Sequence, residues 1–160
     1  MNRIGIVVAV CILAALVAFA WLHQRTMQAG LPPREPCDNR ADAMAKAGAF
    51  AKAHGGTVIA VLGTGSMAPY IPAAPAGEDP RRYIAAYVVM MPAAFSDIRA
   101  GSLCIYRADW DVNLYMLHQA AQRDGLGWVM SGLHNARSEA AWRVTPANFI
   151  GIAGKVFVWK

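Results

Sequence analysis

Apolar residues run from Ile4 to Leu22 without a charge, whereas later apolar stretches are short and broken by Gly, Pro and Asp. The first run, IGIVVAVCILAALVAFAWL, is 19 residues long, close to the ~20 that a helix needs to cross a bilayer. Residues 1–25 are therefore read as an N-terminal membrane segment, either an anchor or a signal peptide with Arg3 as its basic flank and Ala18-Phe19-Ala20 as a small-x-small cleavage site. The run continues through Trp21-Leu22, past the roughly 7–15 residues of an ordinary signal-peptide core, which favours the anchor. Arg25, Arg34 and Arg40 on the body side against Arg3 lean towards a cytoplasmic body by the positive-inside rule.

Residues 26–40 hold Gly30, Pro32, Pro33 and Pro36 and read as a linker. Asp38-Asn39 open an Ala- and Lys-rich stretch closed by His54-Gly55-Gly56, the pattern of a short helix with a glycine stop. Strands are expected at 57–63, 83–92, 102–107, 114–121, 127–132 and 149–159, from their length, β-branched and aromatic content and turn-forming boundaries. Residues 71–82, with three prolines and paired charges, read as a surface loop. The body, 41–160, is thus expected to be a mainly β domain with one short helix.

Composition narrows the class. With 56% apolar and 16% charged residues, the chain is not intrinsically disordered, and 14 Gly and 9 Pro without period exclude a collagen-like protein. The net charge of +5 is spread along the chain, with no basic run longer than Arg81-Arg82, so no nucleic-acid partner is expected. Cys11 lies in the membrane run, leaving Cys37 and Cys104 for at most one disulfide in the body. No His/Cys/Asp/Glu group has zinc spacing and the glycines at 125, 127 and 132 form no dinucleotide fingerprint, so neither metal nor cofactor is expected.

Candidate chemistry begins where the strand TVIAVLG runs into Thr64-Gly65-Ser66-Met67-Ala68-Pro69, which sets a serine on a glycine turn at a strand end. A nucleophilic serine needs a base to take its proton and N–H donors to hold an oxyanion, and such a turn offers donors. Taken alone, the turn is explained as well by a serine that satisfies its own local hydrogen bonds.

The sequence Gly65-Ser66-Met67-Ala68-Pro69 after an apolar strand resembles the nucleophile box of type I signal peptidases, which share a β fold with LexA-like self-cleaving repressors. Further pieces follow in that family's order: Ala100 to Arg107, Met116-Leu117-His118-Gln119, Trp128 to Gly132, Val144 to Gly151, and Gly154-Lys155-Val156. The likeness spans roughly residues 57–158. It implies a membrane-anchored serine endopeptidase that cuts precursor proteins after small-x-small sites, with its catalytic domain on the extracytoplasmic side of the cell membrane, against the lean of the charge rule.

Signal peptidases take the serine proton with a lysine or a histidine. The lysines here are 46, 52, 155 and 160, none placed as that family's base, whereas His118 follows Ser66 by 52 residues in a setting like the strand histidine of the archaeal and eukaryotic-type enzymes. Histidine, with an ordinary pKa of about 6.5, suits this role. The resemblance places Thr64 with the Ser66 N–H in the oxyanion hole, and an extended substrate against the edge of 57–63, touching Val61, Gly63, Met67 and Pro69. Two family aspartates are replaced, by Leu133 and Ser102, and Glu139 is the one acid near enough in sequence to orient the base. These departures keep a second reading open, a catalytically inactive membrane-tethered module that binds a peptide or partner protein. A LexA-like repressor is disfavoured because 26–56 is too short for a helix-turn-helix.

Overall fold

The computed structural model describes residues 3–108, 111–134 and 139–159, and of residues 3–7, 23, 111–113 and 139–142 the backbone only. Helix α1 (Arg3–Ala29) opens the chain. Its apolar side chains from Val8 to Leu22 make no core with the body, and Phe19 is 72% exposed. By length and composition this helix can cross a membrane.

The stretch expected to be a linker is more ordered than that. Helix α1 runs on to Ala29 before Pro32-Pro33 end it, and β1 (Arg34–Cys37) pairs in parallel with the last residues of the chain, Arg34 opposite Val156 and Cys37 opposite Trp159. β1 escapes a sequence reading because four residues carrying Pro36 give no alternation to see, and it tolerates that proline because among the described residues it has a strand neighbour on one side alone.

Helix α2 (Arg40–His54) forms where expected. The Asn39 side chain accepts the Asp42 N–H at its start, and Gly55, at φ +69°, turns the chain out at its end. Ala43, Ala47 and Ala51 recur every fourth residue on one face, and their small side chains let the helix lie close against Tyr87, Val89 and Phe157 of the sheet.

That sheet consists of β2 (Thr57–Leu62), β3 (Ile84–Met91), β4 (Leu103–Ala108), β5 (Asp111–Asp124), β6 (Gly127–Ser131), β7 (Glu139–Val144) and β8 (Phe149–Trp159), in the spatial order β2-β3-β8-β4-β5-β6-β7, with β1 beside β8. Apart from β1 every pairing is antiparallel. The expected strands are present, β5 longer than read, while β7 is additional: its EAAWRV has neither a clean alternation nor a continuous apolar run. One apolar core fills the space between β2, β3, β4, β8 and the turn after β2, through Met67, Ile71, Val88, Ile105 and Val156. A second, with Tyr106, Trp128 and Met130, lies under β4 to β6. Cys11, Cys37 and Cys104 are all free thiols, so the disulfide that the sequence permitted is not formed.

Candidate active site

Strand β2 stops at Leu62, and the chain turns through Gly65, whose φ of +86° is a left-handed conformation that a side chain would oppose. The next turn, closed by the Ala68 N–H donating to the Gly65 carbonyl at 3.0 Å, presents Ser66. No backbone or side-chain acceptor takes the Ser66 N–H among the described residues, while its carbonyl accepts the His134 N–H at 3.0 Å. The glycine turn thus holds the serine's backbone and leaves its N–H without a protein acceptor among the described residues.

His118 reaches this serine from the middle of β5. Its Nε2 lies 3.3 Å from the Ser66 Oγ, and its Nδ1 lies 3.0 Å from the Tyr106 hydroxyl on the neighbouring strand. Pairing of β4 with β5 sets Cys104 opposite His118 and Tyr106 opposite Met116, so Tyr106 is the diagonal neighbour of the histidine on the same sheet face. Both rings are buried, His118 being 3% exposed. Burial disfavours the imidazolium and pushes the His118 pKa down to about 4, which keeps the ring neutral near pH 7. The Thr64 Oγ1 stands 3.4 Å from the Ser66 Oγ, completing a cluster of two hydroxyls and an imidazole.

The pair lies in a cleft of about 720 Å³ whose walls are mainly apolar, with Ile59 and Val61 of β2, Met67 and Ile71 after the serine, Ile105 of β4 and Leu117 of β5, and with the charged Arg81 also on the lining. That volume lies within the range of ligand-binding clefts. β2 lines the cleft and is the end strand of the sheet, paired among the described residues with β3 alone, so its other edge has no strand partner there.

The expected substrate contacts divide. Val61 and Met67 line the cleft. Gly63 and Pro69 do not: the Gly63 N–H donates to the Tyr83 carbonyl, its own carbonyl accepts the Ala74 N–H, and a β-carbon there would stand 2.7 Å from the Ala74 nitrogen, so Gly63 serves close packing of the 71–83 loop. Pro69 points outward on the exposed side of the turn.

Glu139 begins β7 opposite Met130, and its side chain lies outside the described residues. Among the described residues the Tyr106 phenol meets the His118 Nδ1, a contact set by the β4–β5 register and so not legible in the local sequence. Leu133 is half-buried against the first core. Ser102 closes a turn, its Oγ accepting the Arg99 N–H at 3.0 Å. Both positions that depart from the family pattern therefore have packing or turn roles. Lys46 and Lys155 are engaged by Glu35, at 3.7 and 2.6 Å, and among the described residues no lysine lines the cleft. Among the described residues no cluster of His, Cys, Asp or Glu is arranged to hold a metal ion.

Compared with known protein families, curated proteins and solved structures, the chain finds no match.

Proposed function

We propose that this protein is a membrane-anchored serine endopeptidase of the signal peptidase type, with Ser66 as nucleophile and His118 as general base. The single observation that carries the reading is the Ser66 Oγ to His118 Nε2 approach of 3.3 Å, made inside an apolar cleft beside an unpaired strand edge. A gap slightly beyond ideal hydrogen-bond length is usual for a nucleophile and its base without substrate.

The substrate is an extended segment of a precursor protein, added to the free edge of β2 with its side chains directed into the cleft. In the productive tautomer the His118 Nδ1–H donates to the Tyr106 oxygen, leaving the Nε2 lone pair towards Ser66. The Ser66 Oγ attacks the scissile carbonyl as its proton passes to Nε2, forming the C–O bond of a tetrahedral intermediate. The oxyanion is held by the Ser66 N–H and the Thr64 hydroxyl. Collapse breaks the C–N bond, the imidazolium returns the proton to the leaving amine, and water then hydrolyses the acyl-serine by the same proton route. Helix α1 anchors the enzyme in the cell membrane with its body on the extracytoplasmic side, where precursors with small-x-small sites emerge.

A second reading, the inactive tethered module, is favoured by the structural roles of Leu133 and Ser102. Both readings are tested by incubating the full-length protein in detergent with precursors carrying a small-x-small site and sequencing the new amino terminus. The peptidase reading expects cleavage after the second small residue, abolished when that residue becomes Lys. Binding of the precursor without cleavage supports the tethered module instead.

A further inference from the structure

The residue beside the base and the turn that carries the nucleophile both grip the end of the membrane helix. Gln119, next to His118 and 1% exposed, directs its side-chain amide to the Met27 carbonyl in the last turn of α1 and, at 2.9 Å, to the Gly101 carbonyl. Tyr70, at the end of the Ser66 turn, donates its hydroxyl to the Pro32 carbonyl. Between these grips the backbones of Gly30 and Gly101 meet. A β-carbon at Gly101, whose φ is +92°, would stand 2.8 Å from the Gly30 Cα and from the Thr26 oxygen, and one at Gly30 would collide with the Gly101 backbone. A contact this close is open to glycine alone.

From these contacts we propose that the end of α1 is clamped into the domain, so that membrane helix and cleft form one rigid piece. The height of the cleft above the bilayer then selects which bond of a membrane-held substrate reaches Ser66. From Leu22, the last residue of the apolar run, to Ala29 the helix rises about 10 Å, at 1.5 Å per residue. A flexible tether would let the cleft sample many heights, whereas a helix held at its last carbonyls and at the following prolines does not. The role in substrate selection rests on the proposed peptidase activity; the clamp itself does not.

The test uses the full-length protein in lipid nanodiscs, with Cys11→Ala and Cys37→Ala as background and spin labels at Val17→Cys and Lys52→Cys. Pulsed electron resonance is expected to give one narrow distance distribution, broadened by Gln119→Leu with Tyr70→Phe. These replacements add no β-carbon at the glycine contact, and folding is checked by circular dichroism. In parallel, precursors are lengthened one residue at a time between apolar segment and cleavage site. Two residues off the optimum, the unsubstituted protein should lose about tenfold or more in rate, and the clamp variant much less. A broad distribution in the unsubstituted protein, or an unchanged one in the variant, overturns the clamp. A broadened distribution with an unchanged spacing optimum overturns its role in selection. If no precursor is cut at all, the peptidase reading fails while the distance distributions still decide the clamp.

Discussion

Ser66 and His118 meet at 3.3 Å across a sheet in which β3, β8 and β4 stand between the strands that deliver them. The encounter requires the sheet to curl until the open edge of β2 faces β5, and residues 59–62 and 114–118 do line the same cleft. The bulges between Val61 and Leu62, Val89 and Met90, and Ile105 and Tyr106 lie along that path, where extra twist bends a sheet.

On the proposed mechanism, Tyr106 acts through His118. Replacing it, Tyr106→Phe, removes the oxygen 3.0 Å from Nδ1 while keeping the ring in its core. Turnover should fall about ten- to a hundredfold with KM unchanged, and loss of one buried hydrogen bond should cost about 1–3 kcal/mol of stability. Steady-state kinetics beside chemical denaturation separates the two effects. Equal turnover in Tyr106→Phe contradicts the positioning role.

The acid limb of activity should lie well below the ordinary histidine range, because burial holds the His118 pKa at about 4. kcat/KM is therefore expected to be nearly flat from pH 7 to 5.5 and to fall only towards pH 4. Stability follows the same group. The unfolded chain protonates this histidine near 6.5, before the folded one does, so stability is full above about pH 6.5 and declines by about 3 kcal/mol as pH falls to about 4. His118→Gln should remove this part of the pH dependence of stability. An activity midpoint between pH 6 and 7 contradicts the buried neutral base.

Thr64→Val keeps the side-chain shape and removes the hydroxyl 3.4 Å from the Ser66 Oγ. If this hydroxyl holds the oxyanion, turnover should drop by at least about tenfold. The half-denaturation point should barely move, since Thr64 is exposed. Equal turnover removes Thr64 from the oxyanion hole.

Gly65→Ala should lower stability by about 1–3 kcal/mol, because alanine resists the φ of +86° on which the Ser66 turn depends. Thermal unfolding of the full-length protein measures this. An unchanged midpoint would mean that the turn does not need the left-handed residue.

The sequence was most informative where one physical signal dominated. An unbroken apolar run read as a membrane-length helix, the Asn39 and Gly55 caps bounded α2, and alternating or continuous apolar stretches marked most of the strands. β1 was not legible because its pairing is decided by the distant β8, and β7, which pairs with the preceding β6, because its own residues show no strand pattern. Ser66 stood out through its local turn, and His118 through order and exclusion; their mutual distance depends on sheet curl that no local signal encodes. Tyr106 and the clamp of Gln119 and Tyr70 on α1 were missed for the same reason, being relationships of register and loop packing.

The most direct test of the account is a double-mutant cycle on precursor cleavage by the full-length protein, with Ser66→Ala, His118→Ala and the pair combined. The account predicts that each single variant loses nearly all catalysis while remaining folded, and that the double variant is no slower than either one, because the two groups act as a unit. Retained cleavage by Ser66→Ala, or losses that simply multiply in the double variant, would contradict it.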